Sequence, residues 1–239
     1  MLVPYYQDDM CTIYHGDSSD LLPQLPKCDL VLTDPPYGIG IGLVKTKRGG
    51  ERKSRRAQKR DYGEDLTWDN ERVSPSLLAL TVAAADNAII FGGNYYADLL
   101  PASSCWLVWD KQNGPSHFAD CELAWTNLPG AVRILHWLWN GFRQKIKEAR
   151  YHPAQKPQYL MRWCIDRAEE KMKKTILTVI DPYMGVGTTL RAAKDLGKMS
   201  IGIEREEKYC EIAVKRLAQE GLFKSAVTSL TKSTTTIFI

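Results

Sequence analysis

Residues 34–38 read Asp34-Pro35-Pro36-Tyr37-Gly38, and their chemistry is that of a polar clamp beside an aromatic plate. The carboxylate and a main-chain carbonyl are both acceptors, so their natural guest is an NH2 group on a flat ring that Tyr37 can stack against. The exocyclic amine of a nucleobase fits that description. A second cluster, Asp181-Pro182-Tyr183-Met184-Gly185-Val186-Gly187-Thr188-Thr189, combines an acid, an aromatic and two closely spaced glycines. Glycines at 185 and 187 let the backbone approach a ligand where side chains would clash. Glu204 follows about twenty residues later, where an acid can accept both hydroxyls of a ribose.

These clusters need elements to hold them. The apolar run 30–32 predicts a buried parallel strand, and consecutive prolines force the chain out of the sheet at its carboxyl end. Ligands of open α/β sheets bind at that end. Residues 176–180 predict a second buried strand leading into the glycine turn. A helix over 190–196, a strand over 200–203 and a helix over 206–219 follow, which together make a nucleotide-binding βαβ unit. The third glycine of G-x-G-x-x-G is replaced by Leu190, and Asp181 would repel a pyrophosphate. An acid there suits an ammonium group instead. A ligand that carries both a ribose and an aminoacyl group is S-adenosylmethionine, which speaks against NAD.

Elsewhere, strands are predicted over 11–15, 88–91, 105–109, 122–125 and 131–139, with 122–125 placed at a sheet edge. Helices are predicted from 73 to 86, capped by Ser74 ahead of Pro75, from 95 to 100, and from 157 to 171. Residues 39–72 lack a sustained apolar period and read as a flap over a site. Between Lys45 and Arg60 it carries Lys45, Lys47, Arg48, Arg52, Lys53, Arg55, Arg56, Lys59 and Arg60 against the single acid Glu51. The whole chain is only +4, so the rest of the molecule is net acidic and the positive charge sits in one segment. Such a segment points to a polyanion contact. Residues 141–147 interleave basic and aromatic side chains, a composition that can track a nucleic-acid backbone.

The 239 residues suffice for one sizeable core, and no apolar run reaches the ~18 residues a membrane span needs. Six scattered cysteines form no C-x-x-C pair, so reduced thiols and a cytoplasmic location are expected, with no metal site.

Three stretches carry a family resemblance: Asp34-Pro-Pro-Tyr-Gly38, His152-Pro-Ala-Gln-Lys-Pro157 and the cluster from Asp181 to Thr189. In this order they resemble the β-class DNA amino-methyltransferases, which modify adenine N6 or cytosine N4. Residues 201–217 are similar to that family's closing strand and helix. The resemblance implies a Rossmann-like α/β sheet, mostly parallel with an antiparallel edge strand, in circularly permuted motif order. It implies one domain over 1–224, with the flap at 39–72, a target-recognition region at about 111–150 and a frayed tail at 225–239.

The resemblance also assigns roles. Asp34 and the Pro35 carbonyl would hold the target amine, with Pro36 shaping the turn and Tyr37 stacking on the base. Asp181, Tyr183, Gly185, Gly187 and Thr188 would line the methionine end of S-adenosylmethionine, and Lys156 would reach its carboxylate. Glu204 would take the ribose, and Asp17 would lie near the adenine. Tyr183 stands where the family usually has Phe, and Ala154 where it usually has Thr. The partner implied is double-stranded DNA with a flipped base, as in restriction–modification systems, with a homodimer left open. Adenine N6 is the expected target because the first motif residue is Asp. Cytosine N4, protein or RNA amines, and a non-catalytic DNA-binding module that keeps the fold are the alternatives.

Overall fold

The computed structural model describes residues 2–40, 68–114, 119–139 and 144–219. Among these, β1 (Tyr6–Gln7), β2 (Cys11–His15), β3 (Cys28–Thr33), β4 (Ala85–Phe91), β5 (Trp106–Asp110), β6 (Cys121–Thr126), β7 (Arg133–His136), β8 (Thr178–Asp181) and β9 (Met199–Glu204) form one sheet. Its order is β1-β2-β9-β8-β3-β4-β6-β5-β7. The helices are α1 (Ser18–Leu21), α2 (Pro75–Ala83), α3 (Gln158–Met172), α4 (Thr188–Asp195) and α5 (Glu207–Leu217).

The centre of the sheet follows from side-chain alternation. Leu30 and Leu32 of β3 face one layer, with Ile89, Phe91 and the α3 residues Leu160, Met161, Cys164 and Ile165. Val31 faces the other, with Ala88, Ile90, Ile180, Leu78 and Tyr96. Each strand thus buries both faces, as continuous apolar runs in parallel sheets do. β3 pairs in parallel with β4 on one side and β8 on the other. From β3 the chain runs outward to β4, and from β8 it runs the opposite way to β9. The crevice between the carboxyl ends of β3 and β8 is therefore the topological switch point.

Helix α2 starts as expected: Ser74 accepts from the Leu77 amide at 3.3 Å, with Pro75 in the first turn. Three expectations change. The 122–125 strand is internal, because β6 is hydrogen-bonded antiparallel to both β4 and β5. The antiparallel edge is instead the two-residue β1. No α-helix forms over 95–100; a 3-10 turn at Gly93–Tyr95 gives way to turns after Gly92 in the left-handed region, and a Cβ added at Gly92 would meet the Tyr37 ring, one at Gly93 the Trp106 ring and the Trp125 Cβ and main chain. The 131–139 strand shortens to β7, and Trp137 and Trp139 beyond it are buried.

The basic residues at 45–60 and the tail at 225–239 lie outside the described residues, as do parts of the 111–150 region. Among the described residues all six cysteines are free, and no helix is long and apolar enough to cross a membrane.

Candidate active site

The turn after β3 is held open by groups that do not belong to it. Asp69, fully buried, accepts from the Tyr37 amide at 2.6 Å and the Gly38 amide at 3.0 Å. The Tyr96 hydroxyl donates to the Pro36 carbonyl. Pro35 is buried beneath. These bonds hold Asp34 at the rim of a cavity of about 540 Å³, a size ordinary for small-molecule sites.

The same cavity is lined by Asp17, Asp34, Pro36, Lys156, Asp181, Tyr183, Gly185, Thr188 and Glu204. The two clusters, some 150 residues apart in the chain, thus meet at one opening. Thr33 donates its hydroxyl to Asp181 at 2.6 Å across the β3–β8 boundary. Asp181 also accepts from the Tyr183 amide at 3.1 Å, and burial pushes its carboxyl up to about 6. Glu204, at the end of β9, accepts from the Glu206 amide at 2.8 Å, and burial raises its pKa as well. Asp17 caps α1 by accepting from the Ser19 amide at 2.8 Å, so it faces the cavity with one oxygen already engaged.

The two glycines part company. Gly185 lines the cavity, and a Cβ added to it would meet nothing within 4 Å. Gly187 is not in the lining. It starts α4 at φ 72°, and an added Cβ would lie 2.9 Å from Ala213 Cβ of α5. Gly187 therefore serves close helix packing rather than ligand approach.

Two aromatic and cationic side chains lie differently from the family's pattern. Tyr37 is outside the cavity lining: its hydroxyl donates to Asp34 Oδ1, and its ring stacks on Tyr95 with centroids 4.9 Å apart and 18° between planes. Its approach to Gly92 is so close that an added Cβ there would lie 2.0 Å from the ring. Lys156 donates to Asp34 Oδ2 and lies 3.0 Å from Glu122 Oε2 on β6. Burial opposes its charge, but Asp34 and Glu122 overcome that and hold its pKa above the ordinary lysine value. Burial raises Asp34, with Lys156 opposing and Glu122 adding to the rise.

Sequence reasoning did not pick out Asp69, Glu122, Lys111, Tyr95 and Tyr96. Nor did it see the ring cluster on the cavity wall, where His152 meets Trp68 edge-on at 5.0 Å and Tyr209 at 5.1 Å. Burial lowers the His152 pKa to about 4, so the imidazole is neutral near pH 7. His152 opens the 152–157 motif, in which the resemblance gives it no role of its own; the others carry no local signal.

As chemistry, the cavity offers the buried acid Asp181, the half-buried acids Asp34 and Glu204 and an open backbone wall at Gly185; among the described residues its lining lysine is Lys156, which is engaged by Asp34 and Glu122. That set fits a ligand with a sugar and a cationic end, and it fits a pyrophosphate poorly.

Comparison with known proteins gives the same picture. The family profile described as DNA methylase matches residues 108–215. Type II methyltransferase M.HinfI of Haemophilus influenzae is 39% identical over 265 residues, covering 92% of this chain and 71% of that protein. Type II methyltransferase M2.LlaDCHI of Lactococcus lactis is 27% identical over 256 residues, covering 91% and 93%. Among solved structures, the M1.HpyAVI–SAM complex superposes with a TM-score of 0.54 at 24% identity, covering 87% of this chain and 100% of the other. The cytosine-N4-specific PvuII DNA methyltransferase gives a TM-score of 0.57 at 15% identity, covering 97% and 94%. Both structural likenesses speak to the fold.

Proposed function

As the chain belongs to the type II DNA amino-methyltransferase family, we propose that it methylates the N6 amine of adenine in double-stranded DNA at a short specific sequence. The observation that carries this reading is that Asp34 and the Asp181–Gly185–Glu204 wall open onto one cavity. The methyl donor is S-adenosylmethionine, which when bound supplies a methyl group already activated on sulfonium. Glu204 would accept the ribose hydroxyls and Asp181 would hold the ammonium of the aminoacyl end, with Gly185 and Thr188 on the same cavity wall.

The chain's own task at the base is charge and geometry. An aromatic amine is a weak nucleophile because its lone pair is delocalised into the ring. Asp34 and the Pro35 carbonyl accept its two hydrogens, turn the nitrogen toward a tetrahedral shape and stabilise the positive charge that grows on it. Alignment within one cavity supplies the rest. A base inside a duplex cannot reach Asp34, so it is flipped out at a cost of a few kcal/mol, offset in part by stacking on Tyr37. In the arrangement described, Tyr37 is stacked on Tyr95 and bonded to Asp34, so these contacts yield when the base docks. The basic residues at 45–60 grip phosphates, and the 111–150 region reads the sequence.

Adenine is favoured over cytosine because the motif begins with Asp34, the form more usual for adenine enzymes in the family. The test is incubation with DNA and methyl-labelled S-adenosylmethionine, followed by nucleoside analysis. Label in N6-methyladenine supports the reading. Label in N4-methylcytosine moves the target to cytosine within the same family, and no label on DNA overturns it.

A further inference from the structure

The Asp34 carboxylate has both oxygens engaged, Oδ1 by the Tyr37 hydroxyl and Oδ2 by the Lys156 ammonium. An incoming amine needs one of them. Lys156 is buried, with 6% of its side chain exposed, and a buried ammonium that gives up a carboxylate needs another acceptor in reach. Glu122 provides one. Its Oε2 is 3.0 Å from Lys156 Nζ, and its Oε1 is 2.5 Å from Lys111 Nζ. The charges alternate along Asp34, Lys156, Glu122 and Lys111.

The sheet builds this row. Antiparallel register pairs Glu122 of β6 with Trp109 of β5, one residue pair from the strand end, and Lys111 follows directly after β5. The Lys111 amide bonds the Asp120 carbonyl at 3.0 Å, which keeps the two segments side by side. Glu122 does not line the cavity, so it is not placed to touch the base.

We propose that Glu122 is a positioning residue for Asp34: it shares the Lys156 ammonium, so that Asp34 can release that charge and accept the target amine. With Glu122 ionised, the trio of Asp34, Lys156 and Glu122 keeps one net negative charge facing the nitrogen that becomes positive. Without it, Lys156 and Asp34 form a closed neutral pair. The acceptor is then blocked and its field on the reacting nitrogen is largely cancelled. Lys111 acts in the opposite sense by drawing on Glu122 from the far side.

The role predicts a sign in the pH profile of methyl transfer at saturating S-adenosylmethionine and DNA. The charged or titratable groups around Asp34 are Lys156, Glu122, Tyr37, Tyr96 and Asp181. Tyr37 and Tyr96 are pushed above the ordinary tyrosine value, chiefly by burial, and stay neutral. Asp181 titrates in donor binding, which saturation removes from view. Replacing Glu122 by Gln leaves Lys156 undivided on Asp34, which lowers the pKa of Asp34. Replacing Lys111 by Met lets Glu122 draw Lys156 away, which raises it.

The inference rests on the methyl-transfer reading, and the experiment separates the two. Wild type, Glu122→Gln, Glu122→Asp and Lys111→Met are compared for kcat, KM for S-adenosylmethionine and pH profile. Glu122→Gln is expected to lower kcat tenfold or more, with KM for S-adenosylmethionine unchanged and the acid limb moved to lower pH. Glu122→Asp recovers part of kcat, and Lys111→Met moves the limb to higher pH. Should Glu122→Gln not fold, the direction of the Lys111→Met shift decides. An active wild type with unmoved limbs in the variants overturns the role of Glu122 alone, whereas a wild type with no transfer to DNA overturns the function itself.

Discussion

Thr33, the last residue of β3, donates its hydroxyl to Asp181, the last residue of β8, at 2.6 Å. One bond thus joins the strand that leads into Asp34 to the strand that leads into the glycine turn. Both ends are fully or nearly fully buried. The relative position of Asp34 and Asp181 is therefore set by adjacent strands of a parallel sheet rather than by loops.

On the proposed reading, donor binding is expected to depend on pH through Asp181. Burial raises its folded carboxyl to about 6, so in the free protein it is protonated below that pH. A cationic ligand needs it ionised. Affinity for S-adenosylmethionine is expected to be greatest near pH 7, to fall by up to about tenfold per pH unit below 6 as Asp181 takes a proton, and to decline above about pH 8 as the ligand's ammonium loses one. Calorimetric titration across that range checks this, and Asp181→Asn should bind weakly with a flat profile.

Gly185 and Gly187 are expected to fail differently. Gly187→Val drives a side chain into Ala213 and strains a backbone at φ 72°, so it should lower unfolding free energy by about 1–3 kcal/mol. Gly185→Val strains its backbone too, at φ 50°, but meets no neighbour within 4 Å, so it should cost less stability than Gly187→Val while its side chain at the cavity wall weakens donor binding. Denaturant unfolding and binding, measured on both, separate the two.

Asp69 holds the turn that follows Asp34 and lies outside the cavity lining. Asp69→Ala leaves the Tyr37 and Gly38 amides without their acceptor and should cost about 1–3 kcal/mol. Transfer should fall with it while donor affinity stays at the wild-type value. Equal losses in both would place Asp69 elsewhere in the mechanism.

The basic segment makes an ionic-strength prediction. Each of the residues from Lys45 to Arg60 that contacts a phosphate contributes about 0.9 to the slope of log affinity against log salt. Changing four of them to Gln should flatten the slope for DNA by up to that amount apiece. An unchanged slope assigns phosphate binding to other residues.

The clamp and donor motifs were legible because their chemistry is local. Asp34, the two prolines and Tyr37 are consecutive, and Glu204 follows the glycine turn at the distance one βαβ unit imposes. The partners of the clamp were not legible, because they are made by register. Glu122 meets Lys156 only because β6 inserts between β4 and β5, and a strand read as an edge gives no reason to look inward. The spacing of Gly185 and Gly187 says that both need a bare α-carbon. Only the packing of α5 tells that one of them faces Ala213. The ring that requires a glycine at 92 lies 55 residues earlier in the chain.

The most direct test is single-turnover transfer by Asp34→Ala alongside its binding of S-adenosylmethionine. The account predicts donor affinity close to wild type and transfer to DNA abolished, because the wall at Asp181, Gly185 and Glu204 is intact while the amine has lost its charged acceptor. Transfer at the wild-type rate by that variant would contradict it.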